Sequence, residues 1–226
     1  AYTYNHSGFR TSETDALGNV TQWEPDRMNR LVKKTLASGA QYGYAYDVLG
    51  RVTGLTGPEG RSLTYAYDDR GNLASETDAL GRVTAYAYDA MHRVTGITDA
   101  NLGVTGMSYD ANGNLAGLVS PEGNAEKYTY DALDRIASRL DPAGAMTQYV
   151  YDVMGNLTQI TEPQGRTTTM SYDANGNILT FTDGNGGTVA YTYDAMNQLL
   201  TTTTPTGGVL ANTYTPGGLL ATVTDA

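Results

Sequence analysis

The sequence contains no cysteine, and only 2 phenylalanines, 1 tryptophan and 2 histidines occur among its 226 residues. The missing cysteine excludes a disulfide framework and a thiolate metal site alike. Nothing in the chain approaches the run of about 18 apolar residues that a membrane-spanning helix requires, and no signal-peptide pattern opens it. Basic residues are scarce: 14 Lys and Arg stand against 24 Asp and Glu, for a net charge of -10. These cations are scattered, so no face can neutralise a run of phosphates and nucleic acid is not expected as a partner. Helical periodicity is missing too. No window places apolar residues at i, i+3, i+4 and i+7, and the 27 glycines recur too often to permit a convincing helix.

What is present is tyrosine, glycine and threonine in a fixed period. Tyr-Asp occurs at Tyr46-Asp47, Tyr67-Asp68, Tyr88-Asp89, Tyr109-Asp110, Tyr130-Asp131, Tyr151-Asp152, Tyr172-Asp173 and Tyr193-Asp194, each 21 residues after the last. The period extends back through Pro25-Asp26 and Tyr4-Asn5 and forward to Tyr214-Thr215. Eleven registers therefore fit residues 1–226 as a single array without insertion or deletion. Because residue 1 already lies inside a repeat, the chain reads as a piece of a longer array.

With the tyrosine as position 0, position +4 holds Gly8, Asn29, Gly50, Gly71, His92, Gly113, Asp134, Gly155, Gly176, Asn197 and Gly218. Glycine enters the left-handed region freely, and Asn, Asp and His are the side-chain-bearing residues most enriched there, so this column reports a backbone conformation. Asp at +1, two free residues and a left-handed residue at +4 describe a type I turn closed by a bulge, a common antiparallel connection. A second turn follows half a repeat later. Asp15, Asp78, Asp99, Asp141 and Asp183 stand at +11, and +14 is glycine in nine of ten cases, with Leu102 the exception. Pro58, Pro121, Pro142, Pro163 and Pro205 at +12 suit the second residue of a type I turn.

Two turns per repeat leave two strands of about six or seven residues, so the expected fold is all-β, an antiparallel hairpin meander of about 22 short strands. Seventeen of the 18 tyrosines lie at 0 or at −2, which share a face by the two-residue period of a strand. The opposite face of that strand is small, as at Ala45, Ala66, Ala87 and Ser108, and the next strand opens with an aliphatic residue at +6. Positions +6 and +9 differ in parity with a bulge between them, which leaves the face of the second strand open. A parallel β-helix would stack nine consecutive carboxylates, Asp26 to Asp194, about 4.8 Å apart, whereas a meander doubles that spacing, so the meander is favoured. Twenty-two strands would form a strip about 105 Å long, more than a twisted open sheet normally holds, so the array is expected to curl into a partial hollow shell.

The segments YAYDVLGR at 44–51, YAYDDRGN at 65–72 and YVYDVMGN at 149–156 resemble the YD, or Rhs, repeat of Rhs proteins, wall-associated bacterial toxins, the C component of ABC toxin complexes and teneurins. The resemblance covers the whole chain. It implies a sheet that spirals into a shell around a toxin or effector domain of the parent chain, with secretion or display at the cell surface. Its motif residues are Tyr46, Asp47, Gly50, Tyr67, Asp68, Gly71, Tyr88, Asp89, Tyr109, Asp110, Gly113, Tyr130, Asp131, Tyr151, Asp152, Gly155, Tyr172, Asp173, Gly176, Tyr193 and Asp194, all read as structural. Bacterial members of the family usually close with a DPxGxxGPNxYxY-like signature and a self-cleaving aspartate pair. Asp141-Pro142-Ala143-Gly144 matches only the start of that signature, so no protease residues are assigned.

No catalytic, cofactor or metal site is expected. One carboxylate about every 9.6 Å does not converge as calcium requires, so the aspartates read as turn caps that pair in places with Arg51, Arg93 or Arg135. His92 sits in the left-handed column, and no serine has a base and third partner at matching positions. The tyrosine columns could stack on sugars or peptides, but residues present in every repeat serve first what every repeat must do, which is to pack on its neighbours. The sequence therefore points to a structural shell segment that encapsulates a toxin. A surface adhesion module binding carbohydrate or protein is the alternative, and enzymatic activity is not expected.

Overall fold

The computed structural model describes residues 1–225. It is all-β, with 22 strands from Tyr2–Tyr4 to Leu220–Asp225, and the only helical turns among the described residues are Pro58–Gly60 and Pro163–Gly165. Apart from Tyr2–Tyr4, each strand is five or six residues long, slightly shorter than the sequence implied. The chain divides into two compact units, one spanning Ala1–Met107 with Ser120–Glu122, the other Ser108–Val119 with the residues from Gly123 onward.

In the first unit each strand pairs antiparallel with its neighbours in sequence: Gln41–Tyr46 with Val52–Thr56, that strand with Ser62–Tyr67, and Ser62–Tyr67 with Leu73–Asp78. The second unit repeats the pattern from Leu115–Val119 to Leu220–Asp225. Sequential antiparallel pairing excludes the β-helix, whose neighbours would be parallel and one coil apart.

The face of the second strand is decided by one unpaired residue per hairpin. Ala45 lies opposite Gly54 but Tyr46 lies opposite Val52, which leaves Thr53 at +7 outside the ladder. The same slip occurs at Ala74 in the first unit and at Thr158 in the second. Directly opposed residues share a face, so the bulge brings +6 and +9 to the side of the tyrosines. Tyr44, Tyr46, Val52 and Leu55 therefore stand together, as do Tyr149, Tyr151, Leu157 and Ile160.

On the other face −1 meets +8, and both columns are mostly small, the exceptions being Glu24 opposite Lys33 and Val150 opposite Gln159. A side chain built on Gly54 would touch the Ala45 methyl at 3.4 Å, and one on Gly96 would touch that of Ala87 at 3.5 Å. Where both positions carry hydroxyls they bond to each other, as in Thr129 with Ser138 at 2.7 Å and Thr192 with Thr201 at 2.6 Å. No side chain among the described residues is buried. Each unit is one layer, without the second packed layer that gives an ordinary domain its core, and its cohesion comes from contacts made within the sheet.

Candidate functional site

The feature that recurs along the array is the first turn with the tyrosine that precedes it, Pro25 being the one exception at position 0. At Asp47 the turn closes through Gly50 N–H donating to the Asp47 carbonyl at 3.1 Å and Asp47 N–H donating to the Arg51 carbonyl at 3.0 Å. Gly50 has φ +84°, and all eleven +4 residues are left-handed, including Asn29, His92, Asp134 and Asn197. One carboxylate oxygen of Asp47 accepts from the backbone N–H of Leu49 and of Arg51, both at 2.9 Å. Its other oxygen accepts from Arg51 Nε at 2.6 Å. Asparagine at +5 does the same work: Asn72 Nδ2 donates to Asp68 at 2.8 Å and Asn156 Nδ2 to Asp152 at 2.9 Å. Donation from the +5 side chain is the main reason that Asp68, Asp131 and Asp152 are held below the usual carboxylate range, with partial desolvation opposing it.

The tyrosine at 0 ties its hairpin to the preceding one. Adjacent hairpins pair over only three residues, as in Lys33 to Thr35 with Gln41 to Gly43, so the two strands lose their ladder before they reach the first-turn edge. Tyr46 bridges that gap, its hydroxyl donating to the Leu31 carbonyl at 2.8 Å. Tyr67 reaches Val52 at 2.7 Å and Tyr88 reaches Leu73 at 2.9 Å. In the second unit Tyr130, Tyr172 and Tyr214 reach the carbonyls of Leu115, Leu157 and Leu199 at 2.8 to 2.9 Å. The +5 arginine adds a second tie. Arg30 lies over the Tyr46 ring at 4.7 Å and Arg51 over Tyr67 at 4.4 Å, while Arg30 Nη1 also donates to the Asp47 carbonyl at 3.1 Å. Arg135 repeats both contacts, with Tyr151 at 4.5 Å and the Asp152 carbonyl at 3.2 Å.

The tyrosines at −2 behave differently, because their partners vary from repeat to repeat. Tyr86 donates to Glu76 at 3.2 Å, and burial together with that carboxylate pushes its hydroxyl pKa up. Tyr128 shares Glu126 with Arg139, whose guanidinium meets the carboxylate at 2.8 and 3.0 Å. Trp23 takes the tyrosine's place in one repeat and lies under Arg10 at 4.2 Å.

Second turns keep the left-handed residue at +14 throughout, Leu102 included at φ +68°. At Pro58 and Pro163 they depart from the type I geometry that proline at +12 implied. Glu59 and Gln164, at φ +61° and +71°, are left-handed as well, so two successive residues adopt that conformation. Gly103 sits beside Leu102 because a side chain there would press on Asp99 at 2.8 Å and on Pro121 at 3.1 Å. Sequence reasoning missed the tyrosine hydroxyl's partner, although a signal was present: column 0 holds ten tyrosines and no phenylalanine, as a hydroxyl with a partner favours, whereas the −2 column also admits tryptophan, methionine and asparagine.

Among the described residues no three His, Asp or Glu side chains gather as a metal site would require, and no helix is long and apolar enough to cross a membrane. What recurs is a β-hairpin that locks its own turn and then the hairpin before it. Six segments, 4–41, 29–62, 67–104, 109–146, 130–167 and 172–209, match the RHS Repeat family. The chain belongs to the RHS repeat family. No curated protein matches this RHS array in sequence. Among solved structures it is similar to TcdB2-TccC3-Cdc42, with a TM-score of 0.52, and to the Photorhabdus luminescens Tc holotoxin pore, with a TM-score of 0.53. A structure of TcdB2-TccC3 without the hypervariable C-terminal region also gives a TM-score of 0.53. Identity is 16% in each case, over 99% of this chain and 15% of the other. The likeness is one of fold, and the RHS array spans a small part of those chains.

Proposed function

We propose that this chain is a wall segment of an Rhs-type shell, a structural part whose parent protein encloses a toxin or effector domain for delivery outside the producing cell. The observation that carries this reading is the tie from a tyrosine at 0 to the hairpin before it, made by Tyr46, Tyr67 and Tyr88 in the first unit and by Tyr130, Tyr172 and Tyr214 in the second, which joins successive small hairpins within each unit. A single layer with no buried core is what a wall requires, because its two faces have different surroundings. First-turn aspartates such as Asp47, Asp68 and Asp152, the obvious candidates for chemistry, spend both carboxylate oxygens on their own turns, which supports a role without catalysis. Antiparallel strands twist as they pair, and a long series of them does not stay flat, which is the general reason for reading the wall as curled.

Small-angle X-ray scattering on monodisperse protein of known mass tests the wall. A pair-distance distribution peaking near a wall-to-wall separation of about 30 to 35 Å is expected from a strip of this length curled once. A rod about 105 Å long would contradict the curled wall and favour the adhesion module.

A further inference from the structure

Across each second turn, position +11 faces position +15. Where +15 is arginine the acid at +11 binds it in two repeats: Asp78 meets Arg82 at 2.6 Å and Glu162 meets Arg166 at 3.6 Å. In the third such repeat the acid is missing. Gly57 stands at +11 opposite Arg61. The backbone turn is intact, with Gly57 N–H donating to the Arg61 carbonyl at 2.7 Å. The Arg61 guanidinium, however, has no hydrogen-bond or ion-pair partner among the described residues.

Beside this unpaired cation the tyrosine face changes character. Tyr42, the one tyrosine outside the two columns, occupies −4, where Thr21, Thr84, Thr105, Thr147 and Thr168 stand in other repeats, and Leu63 fills the same position one repeat later. Leu63 lies directly opposite Leu55, and Tyr42 and Leu63 are each 36% exposed. With Pro58 and Arg61 these side chains line an open groove of about 570 Å³. The turn at its end holds Glu59 left-handed at φ +61°.

We propose that this groove docks an extended peptide segment in which an acidic side chain lies beside an apolar one. The carboxylate takes at Arg61 the place that Asp78 holds at Arg82, and the apolar side chain rests on Tyr42, Leu55 and Leu63. Arg61 selects this occupant, because its guanidinium is left without an internal partner although Glu59 also lines the groove. A chain of net charge -10 repels acidic partners in general, so an acid is held only where a cation has no internal partner. The planar guanidinium matches a carboxylate in two-point geometry, and the groove is too open to enclose a small molecule on its own.

The test uses the whole chain, labelled with nitrogen-15 and titrated with acetyl-Leu-Glu-amide and, separately, acetyl-Leu-Gln-amide, following the backbone amides of Gly57, Gly60 and Arg61. Saturable shifts at these amides are expected, with the Gln peptide binding about threefold or more weakly, the scale of an exposed ion pair. The variant Gly57→Asp restores the missing acid. Its backbone, at φ −128°, accepts any residue, and the new Cβ would lie 3.6 Å from that of Arg61, an ordinary contact, so the fold is expected to persist with the rest of the spectrum unchanged. In that variant the preference for the Glu peptide disappears. Equal binding of the two peptides by the parent chain, an undiminished preference in Gly57→Asp, or tighter binding of octanoate than of the Glu peptide would each overturn the proposal. None of these outcomes bears on the wall reading, which does not depend on Arg61.

Discussion

In most repeats the first and second turns share a backbone, with the same closing hydrogen bonds and a left-handed residue in the same place, yet they differ in what surrounds them. At the first turn the +1 aspartate binds its own turn, and the +5 side chain and the tyrosine at 0 reach the neighbouring hairpin. At the second turn the corresponding contacts stay within the turn, as in Asp78 with Arg82. Variation follows that division. The second turn admits Leu102 in a left-handed conformation, two double left-handed proline turns and a glycine in place of the acid, while the first keeps Asp or Asn at +1 in ten of eleven registers. One edge fixes the spacing of the repeats, and the other is free to diverge.

Acidification strikes both edges and has the largest expected effect. Aspartates of the first turns, such as Asp26, Asp68, Asp131 and Asp173, and of the second, such as Asp15 and Asp78, are held below their usual range by donors in their own turns. A carboxylate whose folded pKa is lowered adds stability that is complete above its unfolded value, about 4, and is lost as the pH falls through the folded value. The urea midpoint should therefore hold steady from about pH 8 to 5 and fall below about pH 4. A midpoint unchanged down to about pH 2.5 would show that the carboxylates do not hold the turns.

Gly155→Val comes next. Gly155 is at φ +94° in a first turn, where a Cβ would meet only the Arg135 guanidinium at 3.9 Å, an ordinary contact, so the cost is mainly conformational, about 2 kcal/mol for a β-branched residue, read from denaturant unfolding. Tyr130→Phe removes the donor to Leu115 and should cost about 1.5 kcal/mol. Tyr149→Phe at −2 makes no such tie and should stay within about 0.5 kcal/mol, so equal losses for the two would remove the distinction between the columns. Leu102→Gly relieves a left-handed leucine in a second turn and should raise stability by about 1 kcal/mol, visible as a higher melting temperature.

The parts of this fold legible in the sequence are those set by single residues. The +4 and +14 columns carry glycine, asparagine, aspartate and histidine because backbone sterics act locally, and the 21-residue period follows from them. The bulge at Thr53 was not legible, because it depends on which residues of two strands meet. The tie from Tyr46 to the Leu31 carbonyl joins residues of different hairpins, and nothing local to either one marks it beyond the preference for tyrosine over phenylalanine. The unpaired Arg61 could have been noticed by aligning +11 with +15, yet its meaning required the groove formed by Tyr42, Leu55 and Leu63.

The most direct test of the claim that the first-turn edge holds the repeats together compares two triple variants by urea unfolding at neutral pH. One replaces Asp68, Asp131 and Asp152 with alanine at first turns, and the other replaces Asp78, Asp141 and Asp183 at second turns. A clearly lower midpoint is expected for the first-turn variant, because the lost carboxylates release +5 side chains, Asn72 and Arg135 among them, that reach the next hairpin. Equal midpoints, or a lower one for the second-turn variant, would contradict it.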